Sequence, residues 1–485
     1  MRTSHSHPLQ IAEARPGPGL GSIGITFCPG KKQPAAMSGS WDRDLGLDLD
    51  AIKAFGASAL VTLIEDHEIE TLGVPAIGEE TVLRHMDWLH LPIADVSVPG
   101  QDFEEAWQVH GPGLRARLRD GFNVVVHCKG DLGRAGTIAA RLLTELGRHP
   151  EDAIAQVRSV RTGAIETRAQ EDYVRSLQPV EEPTPSTDPE AIADRAVGAL
   201  IGLAVGDAVG TTLEFKSRDS YPRLTDMVGG GPFRLEAGQW TDDTSMALAL
   251  ADSLLASDEF DPEDLMRRFV AWRDTGENSC TGSCFDIGMT VSSALNRWKQ
   301  TGDPIAGSTD PHSAGNGSLM RLSPVAIRHW QDPKIMCKVA ARQSMTTHGA
   351  AEAVSACVAY AEMIAEAIAG KHRHEVLAPR NGDYAGKIAR IMTGSWRGKV
   401  RDDVESSGYV AHSLEAALWS IGRTSDFRSA ILTAANLGGD ADTTAAIAGQ
   451  LAGALYGVSG IPEEWLEKVA WRDAIVERAR KLIQS

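Results

Sequence analysis

The stretch QPVEEPTPSTDPE, at residues 178–190, divides the chain into two parts with different periodicities. Its prolines and acids, with valine as the sole large apolar residue, read as a solvated, semi-extended linker over residues 179–190. Before it, short β-type runs such as SALVTLI (58–64) and NVVVHC (123–128) alternate with helical periodicity such as EDAIAQVRSV (151–160). Strand–helix alternation predicts an α/β domain around a mostly parallel central sheet, spanning residues 20–178. After it come Ala- and Leu-rich segments such as AVGALIGLAVGDAVG and TTAAIAGQLAGALYG. Small residues at helical spacing permit close helix–helix approach, so residues 191–485 are expected to be all-α. At 485 residues the chain is long enough for these two cores.

The net charge of −17 comes with no basic run in either part. That composition argues against non-specific nucleic-acid binding, which needs clustered Lys and Arg. The first 19 residues contain several Pro and Gly, lack a continuous apolar core, and are expected to be a flexible tail without a secretory signal. No run is expected to span a bilayer. Six cysteines are too sparse for a disulfide framework, which points to a cytoplasmic protein with reduced thiols.

VVVHCKGDLGRAGT (124–137) runs an apolar strand into a thiol and closes the turn on a cation. With the strand ending at Cys128 and a helix expected from about Thr137, the loop Lys129, Gly130, Asp131, Leu132 and Gly133 turns its N–H groups into one cradle. Arg134 adds a planar fork for phosphate oxygens. The same positive field favours the thiolate of Cys128, a nucleophile, while His127 orients the loop. HCKGDLGR resembles the HC-x5-R signature of the cysteine-dependent phosphatases, nearest to the compact dual-specificity members related to the cyclin-dependent-kinase-associated phosphatase. That resemblance implies Asp95, in LPIADVSVP, as general acid and Gln170 as the group that positions the hydrolytic water. It implies no cofactor in this domain and a phosphorylated substrate. The family's Ser or Thr after the arginine is here Ala135, with Thr137 two residues on.

GQWTDDTSMALALADSLL and NLGGDADTTAAIAGQLAGALYG each crowd three oxygen side chains at a helix start: Thr241, Asp242 and Asp243, then Asp440, Asp442 and Thr443. An N-cap needs one such residue. Together they form an oxygen-only set suited to Mg2+ or Mn2+ and poorly suited to Zn2+. The pair TDDT and GGDADTT, with GALIGLAVGDAVGTTLEF before it, resembles the ADP-ribosylglycohydrolases, including the dinitrogenase-reductase-activating type. The resemblance implies that these six residues hold two divalent ions and that Glu214 faces the scissile ribose, with Asp207 also in a family position. It further implies an ADP-ribose site that includes Asn316, Gly317, Ser318, His348 and Tyr409. The expectation is a bifunctional hydrolase acting on an ADP-ribosylated protein or an ADP-ribose-containing small molecule, and not at a membrane. The alternatives are a slow or non-catalytic phosphatase-like module, or a helical domain that only reads ADP-ribose.

Overall fold

The structure, a computed structural model, describes residues 1–36, 39–130 and 132–484. It divides into two compact units: Met1–Pro183 with Arg397–Val400 and Gly422–Ser425, and Thr184–Trp396 with Arg401–Ile421 and Asp426–Ser485.

The first unit contains strands β1 (Ala12–Ala14), β2 (Ile23–Phe27), β3 (Lys32–Gln33), β4 (Trp41–Asp42), β5 (Ala57–Thr62), β6 (Asp87–His90) and β7 (Asn123–Cys128). Strands β3 and β4 pair with each other, and the other five form one sheet in the order β1-β2-β7-β5-β6. Neighbours β2, β7, β5 and β6 run parallel, and β1 lies antiparallel on the edge. The sheet is therefore mostly parallel, as the strand–helix alternation predicts. The segment expected as a flexible tail instead supplies β1, whose Ala12 and Ala14 pair with Ile25 and Ile23. Its backbone covers what would otherwise be the open edge of β2.

Central strand β7 is apolar on both faces because both are packed. Val124, Val126 and Cys128 join one core with Leu118, Ile138 and Leu142; Val125 joins the other with Leu49, Ile52 and Leu60. Helix Asp66–Thr71 follows β5, the loop at 91–100 follows β6, and helix Gly133–Glu145 follows β7. All three leave the same carboxyl edge of the parallel strands, where open α/β sheets bind ligands. The last helix begins at Gly133, four residues before the expected start, so Arg134 sits in its first turn.

The second unit is helical. Its long helix Pro189–Gly210 packs along helix Ala441–Tyr456 with backbones in near contact. Glycines every fourth residue make this possible: a Cβ at Gly198, Gly202, Gly206 or Gly210 would lie 2.2, 2.4, 2.1 or 2.4 Å from a carbonyl oxygen of the facing helix. The segment Pro189–Leu213 is long and apolar enough to cross a membrane by length and composition, contrary to expectation. However, 94% of its apolar window is buried in this unit, so it is a core helix. The close approach brings Asp207 and the following Glu214 against the start of helix Ala441–Tyr456. Gly202→Val is expected to destabilise this unit by about 3 kcal/mol, because overpacking outweighs the gain in helix propensity. A denaturant midpoint unchanged from wild type would contradict the close packing.

Candidate active sites

The three segments that leave the carboxyl edge of the sheet meet at Arg134. Its buried guanidinium donates from Nη1 and Nη2 to the two oxygens of Glu68 at 2.6 and 3.0 Å, and to the Ile93 carbonyl at 2.9 Å. Asp95 Oδ1 lies 3.0 Å from Nη2. Sequence reasoning missed Glu68, which reads as the polar face of a short helix. Here it is almost fully buried and also accepts from the Glu65 amide, so it fixes the fork of Arg134. Hydrogen bonding to Arg134 holds the Glu68 carboxyl below its usual range, even though burial acts in the opposite sense as the largest influence.

Cys128 ends β7 and is buried at the base of the loop. Lys129, Gly130 and Leu132 form that loop, while Asp131 lies outside the described residues. The N-terminus of helix Gly133–Glu145 adds positive potential at the loop's end. Gln170 is fully buried beside Gly133, where an added Cβ would sit 2.9 Å from its Nε2. Its side chain accepts from the Glu166 amide at 3.0 Å and donates to the Ser97 carbonyl at 3.1 Å, tying the Asp95 loop to the segment that leads into the helix of Gln170. His127 hydrogen-bonds Thr62 Oγ1 at 2.8 Å, and burial pushes its pKa down to about 3, so it is no general base. The Thr137 hydroxyl donates to the Gly133 carbonyl at 2.8 Å within its own helix, and so does not replace the hydroxyl that Ala135 lacks.

In the second unit, the helix starts at Thr241 and Asp440 are not capped by their own side chains. Carboxylates from the long helix segment do the capping. Asp207 accepts from the amides of Thr241 and Thr244 at 2.9 and 3.0 Å and from both hydroxyls. Glu214 Oε2 accepts from the amides of Ala441 and Asp442 at 2.7 and 3.3 Å. This leaves the Asp side chains of the two helix starts free of capping, and they face one another across the cluster. Thr241 Oγ1 reaches both Asp243 and Asp442 at 3.3 Å, and Thr443 Oγ1 reaches Asp243 at 3.3 Å. Carboxylate oxygens of Asp207, Asp243 and Asp442 gather within 4.8 Å, as do those of Glu214, Asp440 and Asp442. Asp442 belongs to both groups. Asp242 lines the same cavity but lies outside both groups among the described residues.

That cavity has a volume of about 800 Å3, ample for a dinucleotide-sized ligand, and is bordered by Glu214, Asp440, Gly317 and His348. Asn316 also lines it, but its Nδ2 is committed to Asp440 Oδ2 at 2.6 Å and Ser413 Oγ at 2.8 Å, so it steadies a carboxylate. Two expected ligand residues are turned elsewhere. Ser318 is fully buried with its hydroxyl on Ser344 Oγ at 2.8 Å, and Tyr409 bonds Glu352 beneath Lys387 and does not line the cavity. Asp286 was missed. It lines the cavity with φ +59°, and its carboxyl interacts with Asp442. The motif TGSCFDIGMT carries no spacing that singles it out. Phe215, also at positive φ, stands 67% exposed at the cavity mouth.

Residues 188–485 match the family model for ADP-ribosylglycohydrolase. The chain belongs to the ADP-ribosylglycohydrolase family. Residues 34–174 match the model of a Swiss Army Knife protein, DSP-PTPase phosphatase domain, so a phosphatase-type domain precedes the ADP-ribosylglycohydrolase domain. Among similar proteins is the ADP-ribosylarginine hydrolase Tri1 of Pseudomonas putida (strain GB-1), 50% identical over 61% of this chain and 79% of that one. Another is the ADP-ribosyl-[dinitrogen reductase] glycohydrolase of Rhodospirillum rubrum, 35% identical over 59% of this chain and 93% of that one. A solved structure titled ADP-ribosylglycohydrolase-related protein complex is 40% identical and covers 60% of this chain and 98% of that one, with a TM-score of 0.54.

The ADP-ribosylglycohydrolase site suits a divalent cation on its own chemistry. Asp243 Oδ1 is buried without a hydrogen-bond partner, in the midst of an all-oxygen donor set. Burial, followed by the neighbouring acids, raises the Asp207 and Asp440 carboxyls to about 7 and Asp286 to about 9. Glu214, Asp242 and Asp243 are pushed well above the usual carboxylate range for the same reason. So much buried like charge is costly until protons or a cation offset it.

Proposed function

We propose that the protein is a bifunctional hydrolase: its second domain releases ADP-ribose from modified arginine with two Mg2+ or Mn2+ ions, and its first cleaves phosphomonoesters through Cys128. The observation that carries the first half is the meeting of Thr241 and Asp243 with Asp442 and Thr443, which leaves Asp243 Oδ1 buried without a partner. Thr241, Asp242, Asp243, Asp440, Asp442 and Thr443 would hold the ions. When bound, they supply positive charge for the ribose hydroxyls and lower the pKa of water. Glu214 holds the start of helix Ala441–Tyr456 and borders the cavity where the scissile ribose would lie. Asn316 keeps Asp440 in place. Arginine as acceptor is supported by the name of the Pseudomonas putida relative, and a cationic leaving group suits a cavity walled by carboxylates.

In the phosphatase reaction, the Cys128 thiolate would attack phosphorus while Arg134 grips the non-bridging oxygens and the loop amides complete the cradle. Asp95 would protonate the departing oxygen after leaving its ion pair with Arg134, and Gln170 would orient the water that attacks the phosphocysteine. A slower, phosphate-retaining domain is the second reading, favoured by Ala135 and by the committed hydroxyl of Thr137. Cys128 forms no disulfide, which fits a cytoplasmic setting.

The test is a panel of defined ADP-ribosyl linkages offered to the whole protein. Arginine-linked ADP-ribose is expected to be released fastest, with release lost on chelation and restored by Mg2+ or Mn2+. Faster release from serine would overturn the acceptor assignment, and release from metal-free protein would overturn the role of the ions.

A further inference from the structure

Behind the loop Gly315–Gly317, three buried side chains form a directed hydrogen-bond chain. Arg321 is fully buried, and its guanidinium can only donate; Nη2 gives hydrogen bonds to the Thr347 hydroxyl at 2.8 Å and the Gln343 carbonyl at 3.0 Å. Thr347 Oγ1 therefore accepts from Arg321 and has one proton left to give. Its other partner is His348 Nδ1 at 2.9 Å. No other acceptor for that proton lies in hydrogen-bond reach among the described residues, so donation to Nδ1 satisfies the hydroxyl and leaves the ring proton on Nε2. Burial, helped by the charge of Arg321, pushes the His348 pKa down to about 3 and keeps the ring neutral.

The Nε2 edge faces the cavity through two glycines. A Cβ at Gly315 would lie 3.1 Å from Nε2, and one at Gly317 would lie 2.8 Å from Cε1. Nε2 has no hydrogen-bond partner among the described residues, and His348 borders the cavity. The cavity lining includes five carboxylates, Glu214, Asp242, Asp286, Asp440 and Asp442, and, among the described residues, no Lys or Arg. An anionic part of a ligand must find neutral donors away from those acids, and the glycine loop over His348 offers them.

We propose that Arg321 and Thr347 are positioning residues that hold His348, which the family resemblance already puts in the ADP-ribose site, as the Nε2–H tautomer, so that its contact to the substrate is a hydrogen bond donated to the diphosphate. The ligand half of this inference rests on the proposed function, whereas the tautomer does not. Nitrogen-15 NMR of the histidine rings in the ligand-free protein reads the tautomer, with His348→Gln used to assign the signals. Wild type is expected to show a non-protonated Nδ1 and a protonated Nε2. Thr347→Val should mix or reverse the tautomers and weaken ADP-ribose binding about tenfold, the cost of one hydrogen bond to a charged group, and Thr347→Ser should restore both. A protonated Nδ1 in wild type, or a folded Thr347→Val with unchanged tautomer and affinity, would overturn the positioning role. A tautomer that shifts while calorimetric affinity for ADP-ribose stays constant would overturn the contact to diphosphate. Wild type that binds no ADP-ribose while showing the expected tautomer would sink the functional reading and leave the relay supported.

Discussion

Asp442→Ala is expected to lower ADP-ribosyl hydrolysis by about a thousandfold or more, with bound divalent metal reduced and turnover at Cys128 unchanged. Asp442 is the one carboxylate common to both acidic groups, and Thr241 reaches it from the opposite helix start. Removing it takes a donor from each group at once, and the charge that ions supply in such sites is worth several kcal/mol. Metal content by elemental analysis separates this outcome from misfolding, as does a retained melting transition. A pH signature accompanies it. In the metal-free fold Asp207 and Asp440 titrate near 7 and Asp286 near 9, above their unfolded values. The fold then binds more protons than the unfolded chain, so these groups cost stability as pH rises from about 4 through 7 to 9. A dication replaces those protons, so the rise in Tm on adding Mg2+ should be larger at about pH 8 than at about pH 6. An equal rise at both, or full activity in Asp442→Ala, would remove the acids from ion binding.

How much of this was legible depended on whether chemistry lay within one contiguous string. HCKGDLGR carries its nucleophile, cradle and cation within eight residues, because a strand, a tight loop and a helix start place them together locally. The two Asp–Thr clusters were legible for the same reason, each being a helix start. What holds these groups was not. Glu68 reaches Arg134 from the helix that follows another strand, and Asp207 and Glu214 act on helix starts whose partners lie 34 and 227 residues away. Asp286 sits on a left-handed backbone, which no local pattern in the sequence announces. Side-chain direction was the weakest inference: in GNGSLM nothing tells that Asn316 faces the acids while Ser318 faces the core. The first strand was hidden because an edge strand of small residues has little apolar pattern of its own, and its pairing answers to the exposed edge of β2. The apolar helix Pro189–Leu213 shows the converse, since glycine spacing, more than hydropathy, reports what it packs against.

Cys128→Ser should abolish phosphomonoester turnover, by at least about a thousandfold, and leave ADP-ribosyl hydrolysis at its wild-type rate. The first expectation follows from the position of the thiol at the end of the central strand, where Glu68 and Asp95 converge on Arg134. The second follows because the acidic cluster is assembled wholly within the other compact unit. The wild-type time course carries further information. With Ala135 offering no hydroxyl and Thr137 bonded to Gly133, neither residue supplies a hydroxyl to the departing Cys128 sulfur in the second step. Capture of phosphate should then outrun release, giving a burst of about one product per enzyme with an aryl phosphate and a phosphocysteine detectable by mass spectrometry after rapid acid quench. Ala135→Ser restores a donor and should raise the steady rate about tenfold while shrinking the burst, because one hydrogen bond to a developing thiolate is worth that much. A wild type without a burst, together with an Ala135→Ser variant of equal rate, would show that thiolate departure does not limit turnover and that Ala135 is a neutral replacement. Loss of ADP-ribosyl hydrolysis in a folded Cys128→Ser would show instead that the two chemistries are not separable.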